Sequence, residues 1–289
     1  SKIDVPFVLG PLNGGLKWPK EFESERHSER EWLAPIRKIY KVLPYSRSTL
    51  KRTAAILAGF QHTIDDMPET MANKIINFPE VGIDPSLFNA SENKCEQGKK
   101  TILFASRLVP YKLPDVVLDA FINSNVLQQH ELLIVGDGPL RGEMESKVKA
   151  YKLENVVQFL GWKTQKEVSE YMQKSHIFAY PTIRELGAGA LVEAMACKMA
   201  CVVVDYGASA SLIDEHRGVK LALQDKQGIT NQLTRQLELL VNNPERIYEL
   251  SERAYEHVMK YYSWAEKAKK TVDVYKWVLG QAEKPRFWN

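Results

Sequence analysis

With 289 residues the chain is long enough for two domains of ordinary size, each burying a core. Hydrophobic residues at 44% and charged residues at 26% are the composition of a soluble globular protein, and a net charge of +3 is too small to argue for a nucleic-acid partner. No apolar run approaches the ~18 residues of a membrane span, Ser1 opens onto no signal-peptide pattern, and three cysteines form an odd set, so a reducing cytoplasm is the expected setting.

In chain order, Val5 to Leu9 reads as a buried strand, followed by the turn-rich Gly10-Pro11-Leu12-Asn13-Gly14-Gly15, which fits a loop over a ligand cleft or a plain strand exit. From Trp32 to Ile64 there is no acidic residue, and Arg37, Lys38, Lys41, Arg47, Lys51 and Arg52 alternate with apolar and aromatic side chains. That stretch fits a surface helix packing its apolar side on the domain, or contact with an anionic membrane surface. Ala54 to Gly59 predicts a short strand. The proline-punctuated segment from Asn77 to Pro85 suits a linker, and the polar run Asn89 to Lys100 completes a domain boundary.

Beyond it, strand and helix patterns alternate, as a doubly wound parallel sheet requires. Strands are expected at Thr101–Ala105, Glu131–Val135, Asn155–Leu160, His176–Tyr180, Ala200–Asp205 and Gly218–Leu221, with helices between them. From Gly228 to Gln281 the pattern is helical, with Pro244 between two helices and Ser263 a credible N-cap. Cys197 and Cys201 are four residues apart, but Cys201 opens a strand and no further ligand is near, so no metal site is expected.

The stretch from Pro181 to Ala196 carries the chemistry. It joins two apolar runs as strand, loop and helix, and the small residues before the helix let a ligand approach backbone N–H groups at its N-terminus. Glu185 in the loop and Glu193 about one turn into the helix can face one cleft at the carboxyl end of the sheet. Two acids beside an anion site point to a ligand bearing both phosphate and hydroxyls. Arg107 and Lys112 follow the first strand of the second half and share that sheet edge; a guanidinium fork and an ammonium suit a diphosphate, although such a pair also fits a solvated loop. Gly136-Asp137-Gly138-Pro139 departs from the dinucleotide fingerprint, which disfavours a nicotinamide cofactor.

The order of Ser-Arg-Leu-x-x-x-Lys (106 to 112), Val-Gly-Asp-Gly-Pro (135 to 139), Phe-Leu-Gly (159 to 161) and Glu-x7-Glu-Ala-Met-Ala (185 to 196) resembles glycosyltransferase family 4, retaining enzymes of the GT-B fold. The resemblance covers the whole second half, and weaker similarity reaches forward to Val5-Pro6. It implies an α/β protein with two Rossmann-like doubly wound domains, the N-terminal one incomplete over residues 1–95, the C-terminal one complete over 96–262, and a helix crossing back over 263–289. Family members normally begin with roughly a hundred further residues, so residues 1 to 95 look like the back half of the first domain.

By the same resemblance, Arg107 and Lys112 would hold a donor's diphosphate, Glu193 the ribose hydroxyls, and Glu185 the donor sugar. The backbone at Gly187, Ala188, Gly189, Ala190 and Leu191 would meet phosphates and sugar, with Gly161 and Trp162 at the nucleotide base. The donor would be a UDP- or GDP-sugar, the acceptor a glycan or a lipid-linked glycan in polysaccharide biosynthesis, and the reaction would need no cofactor and no metal. One departure stands out: many relatives carry a histidine after the Val-Pro strand, and here no histidine precedes His27. Asn13, with Gly14 and Gly15, is the acceptor-side candidate for that place. The alternatives are a nucleotide-sugar-binding fragment inactive without further residues, or a sugar-nucleotide epimerase or phosphorylase on the same fold.

Overall fold

The computed structural model describes residues 5–28, 44–90 and 98–287. Among them the first half builds strand β1 (Val8–Leu12), helices α1 (Glu23–Ser28) and α2 (Pro44–Arg52), strand β2 (Ala55–Ala58), helix α3 (Gln61–Asp65) and strand β3 (Ile75–Asn77). The three strands pair in parallel in the order β1-β2-β3. β1 lies three residues later than the apolar run from Val5 predicts, because Gly10 and Pro11 are strand rather than turn. The register slips between Leu9 and Leu12, and Gly10, at φ +123°, lets the chain press on the Leu57 carbonyl. Gly59 N–H then donates to the Leu12 carbonyl at 2.9 Å and closes the ladder. Of the basic stretch, residues 32–43 lie outside the described residues; α2 carries its remaining basic residues Arg47, Lys51 and Arg52, with Tyr45 exposed.

The second half runs β4 (Thr101–Ala105), α4 (Pro114–Ile122), β5 (Glu131–Val135), α5 (Arg141–Ala150), β6 (Val157–Gly161), α6 (Gln165–Lys174), β7 (Ile177–Tyr180), α7 (Gly189–Ala196), β8 (Ala200–Val204), α8 (Gly207–Leu212) and β9 (Gly218–Leu221). Helices α9 (Lys226–Val241), α10 (Pro244–Tyr262) and α11 (Trp264–Val278) follow. All six strands are parallel, in the order β6-β5-β4-β7-β8-β9. Alternation along a strand divides the core in two. Ile102 and Phe104 of β4 face a cluster completed by α4 and α9, whereas Leu103 and Ala105 join the cluster of α7 and α10.

Helix ends follow local chemistry. Thr164 and Glu167 form a reciprocal capping box on α6, Asp225 accepts from Gly228 N–H at the start of α9, and Ser263 accepts from Glu266 N–H at the start of α11. Segment 77–85 joins the two sheets and is packed from Phe78 to Ile83, with Asn77, Asp84 and Pro85 exposed. Phe78 and Val274 of α11 share a cluster with Ala55, Leu57 and Ile76, and Ile83 pairs with Ser263 in a parallel bridge. Among the described residues no helix is long and apolar enough to cross a membrane.

Candidate active site

β4 and β7 are neighbours, yet the chain leaves β4 for β5 on one side and β7 for β8 on the other. Their two exit loops therefore diverge and leave a crevice at the carboxyl edge of the sheet, where ligands of open α/β sheets bind.

The β4 exit is held by the glycines of Val135-Gly136-Asp137-Gly138. A Cβ at Gly136 would collide with the Ser106 carbonyl oxygen, and one at Gly138 with that of Leu108. Leu108 N–H donates to the Asp137 carbonyl at 2.9 Å, and Leu140 N–H to the Leu108 carbonyl at 3.1 Å. These glycines thus seat the 106–112 loop on its neighbour, a packing role that agrees with their departure from a dinucleotide fingerprint. Leu113, at φ +53°, turns the chain into α4 just after Lys112.

The β7 exit supplies the partners of Lys112, a lysine that is 8% exposed. Its Nζ lies 2.5 Å from Glu185 Oε2 and donates to the Tyr180 hydroxyl at 3.1 Å. Tyr180 also donates to Glu185 Oε2, and Ala188 N–H donates to Oε1 at 3.0 Å. Burial works to raise the Glu185 carboxyl, but the Lys112 charge and these hydrogen bonds outweigh it and hold it below the ordinary value. Burial, and then Glu185, lift the Tyr180 hydroxyl, which stays protonated as a donor. Ala188 caps α7 at φ +54°, an uncommon conformation for a residue with a Cβ, and the loop around it is anchored through Ala208 N–H donating to the Glu185 carbonyl at 2.9 Å.

Glu193 lies one turn into α7, where Gln165 Nε2 donates to it at 3.4 Å and burial raises its carboxyl. Arg107 stands at the mouth: it is exposed, and its guanidinium donates to the Tyr111 hydroxyl. Gly161 sits at φ +69° and its carbonyl accepts from Gly136 N–H at 2.9 Å, which ties the β6 exit to the same edge; Trp162 is 73% exposed beside it. Lys112, Glu185, Glu193 and the loop from Gly187 to Leu191 are therefore brought together, with Arg107, Gly161 and Trp162 around the rim.

The opposite wall comes from the first sheet. Gly14 N–H donates to the Thr63 hydroxyl at 3.2 Å, which donates back to the Gly14 carbonyl at 3.0 Å; Gly15, at φ +79°, passes against Asp66 and the His62 carbonyl. Asn13 donates its amide to Glu80 Oε1. Glu80 was hidden in the proline-punctuated segment, and it abuts both Gly59 and Gly187, so that three separate loops converge on one carboxyl group. Burial and the charge of Glu185 raise that carboxyl, against hydrogen bonds from its own backbone N–H and Asn13 and the charge of Lys267. Arg184 spans the crevice as well, donating to the Leu16 carbonyl at 3.2 Å and lying over the Trp18 ring. Glu80, Tyr180 and Arg184 escape sequence reasoning; the signal available for Glu80 was an acid between Pro79 and Val81 in an otherwise apolar turn.

A family model, Glycosyl transferases group 1, matches residues 88–257, more than half of the chain. The chain belongs to this family. Among curated group 1 relatives, the phosphatidylinositol N-acetylglucosaminyltransferase gpi3 subunit of Schizosaccharomyces pombe is 23% identical over 243 residues, covering 81% of this chain and 50% of that protein. The chain thus spans about half the length of the curated relatives it first matches. Among solved structures, the pneumococcal O-GlcNAc transferase GtfA with UDP and GlcNAc aligns with a TM-score of 0.65 at 18% identity, over 82% of this chain and 47% of that one. The C-terminal domain of a glycosyl transferase group 1 protein from Francisella tularensis aligns at 0.56 and 23% identity, over 63% of this chain and 100% of that one. The fold is that of GT-B glycosyltransferases.

Proposed function

We propose that this group 1 glycosyltransferase is a retaining enzyme of family 4 that moves a sugar from a nucleotide-diphosphate sugar to a glycan or lipid-linked acceptor. The observation that carries the reading is the Lys112–Glu185–Tyr180 cluster at the divergence of β4 and β7, beside the N-terminus of α7. The helix N-terminus and Lys112 suit phosphate, Arg107 closes over it from the rim, and Glu193 accepts from ribose hydroxyls. Glu185 Oε2 is saturated by Lys112 and Tyr180, whereas Oε1 keeps a lone pair beyond its bond from Ala188 and can accept from a sugar hydroxyl.

In the reaction the bond from the anomeric carbon to the phosphate oxygen breaks and its electron pair stays on phosphate. The acceptor oxygen bonds to the anomeric carbon on the same face, and its proton passes to the departing phosphate oxygen. Arg107 and Lys112 stabilise the charge that grows there, which is where fixed charges contribute most. No metal is assigned a part, and EDTA is expected to leave turnover unchanged.

N-acetylglucosamine is the first sugar to test, because both the fission-yeast relative and the pneumococcal neighbour carry it in their names. We place the reaction in the cytoplasm, at the membrane surface when the acceptor is lipid-linked; co-sedimentation with liposomes that ignores anionic lipid content removes the surface. A thermal-shift panel of nucleoside diphosphates and their sugars tests the donor: a matching nucleotide raises Tm by mass action. A panel in which none does sinks the reading, and donor binding without transfer to any acceptor favours the binding-fragment alternative.

A further inference from the structure

α11 has two apolar faces, and only one is covered. Val274 is buried with Ala55, Leu57 and Ile76 of the first sheet, and Trp277 and Val278 pack on the same cluster. On a second face Trp264, Val272, Tyr275 and Leu279 are 48–59% exposed, with Ala265 and Ala268 exposed between them. At 3.6 residues per turn these six positions fall within about 100° of arc, the width of a stripe that ordinarily faces a core. Among the described residues four of the ten exposed large hydrophobic side chains lie on this one helix or at its end, so they form a patch rather than a scatter.

The charge around the stripe has one sign. Lys269 and Lys276 border it, and their carboxylate partners Glu266 and Asp273, at 2.5 and 3.7 Å, lie on the side of the helix away from the stripe. Exposed pairs of this kind hold their members weakly. Over residues 260–287 seven Lys and Arg stand against three Asp and Glu, a net +4 in a chain whose total is +3. This excess is spread over the end of α10, over α11 and over the segment behind it, which suits a plane of negative charge better than a single acidic helix. A second copy laid antiparallel on the stripe would bring the same lysine border of each chain together, and like charges oppose that pairing.

We propose that the outer face of α11 docks on an anionic membrane surface, with Val272 and Leu279 entering the boundary of the acyl chains, Trp264 and Tyr275 at the level of the headgroups, and Lys269 and Lys276 on lipid phosphates. An apolar stripe bearing Trp and Leu beside lysines is the pattern of a helix that lies in the interface plane, and an indole or phenol ring serves both the apolar and the wet side of it. Trp264 also packs against Gly82, two residues from the Glu80 that abuts the donor loop, so the docked face is continuous with one wall of the crevice. The face serves the lipid-linked acceptor of the transfer reading and rests on that reading for its purpose; its test does not, since vesicle binding is measured without donor or acceptor.

The probes are vesicles of phosphatidylcholine alone and with about 30% phosphatidylglycerol, and the neutral vesicles should bind at least ~10-fold more weakly. Lys269→Gln with Lys276→Gln should weaken binding to the anionic vesicles roughly 10- to 30-fold, and Val272→Ser with Leu279→Ser at least ~10-fold. All four positions are exposed, so melting curves in buffer should not change. Arg47→Gln, Lys51→Gln and Arg52→Gln together, on α2, should leave binding within ~3-fold. Lipids brominated near the headgroup should quench tryptophan fluorescence, and Trp264→Phe should remove most of that quenching. Binding that ignores phosphatidylglycerol, full binding in the Val272/Leu279 pair, loss in the α2 variant instead of the α11 variants, or undiminished quenching in Trp264→Phe each overturns the proposal. A dimer that Val272→Ser with Leu279→Ser abolishes, in a chain that binds no vesicle, assigns the face to a second copy and overturns it as well.

Discussion

Lys112 is nearly buried, and its ammonium is answered by one carboxylate and one phenol. Removing one partner of such a pair leaves the other charge in a poor solvent, which typically costs about 3–5 kcal/mol. Lys112→Met should therefore lower the unfolding free energy from urea denaturation by an amount in that range and lift the Glu185 carboxyl, readable by NMR titration of the side chain. An unchanged midpoint would mean that solvent screens the pair far better than its burial implies. Arg107 behaves differently, because it is exposed and packs on Tyr111 alone among the contacts described. Arg107→Ala should leave the unfolding free energy within about 0.5 kcal/mol while turnover at saturating donor falls at least ~100-fold. Near-normal turnover would defeat its assignment to the diphosphate.

At the scale of elements, the turn into α7 is the place where backbone and chemistry meet. Ala188 holds φ +54°, a region that glycine enters without a steric penalty, so Ala188→Gly should be neutral or stabilising by up to about 1 kcal/mol. Ala188→Val should cost about 1–3 kcal/mol and weaken donor binding with it, which a melting curve with and without nucleotide separates. How far the elements are legible in sequence follows the same division. Each strand of the second sheet is an apolar run with turn residues at its exit, and Lys112, Glu185 and Glu193 stand at short fixed offsets from those exits, so local pattern suffices. β1 is shifted because a Gly-Pro pair that reads as a turn is absorbed at a register slip beside β2. Tyr180 reads as one more apolar strand residue until the Lys112 ammonium is placed against its hydroxyl, and Glu80 acquires its setting only when Asn13, Gly59 and Gly187 fold around it. Those contacts join residues far apart in the chain, and no periodicity records them.

Across the whole molecule, buried bases set the response to pH. His257 sits near 4 in the fold against 6.5 ordinarily, so between those values the unfolded chain binds more protons, and stability present at neutral pH is lost as pH falls from 6.5 toward 4. Lys267 and Lys270 are held near 8, first by burial, against 10.5 ordinarily. The unfolded chain again binds more protons between 8 and 10.5, so stability should rise with pH through that window. Urea midpoints across pH 4 to 10.5 check both limbs: His257→Gln should flatten the acid limb and Lys267→Met the alkaline one, and a curve unaffected by either substitution contradicts the assignment.

The chain crosses between its two sheets at residues 78–83 and again where α10 gives way to α11, and the two crossings lie side by side. Ile83 N–H donates to the Tyr262 carbonyl at 2.9 Å, and Trp264 N–H returns to the Ile83 carbonyl at 3.1 Å. Ile83 thus gives its N–H to one end of the α10–α11 junction and its carbonyl to the other, and Glu80, three residues before it in the same packed segment, is thereby held against Gly187.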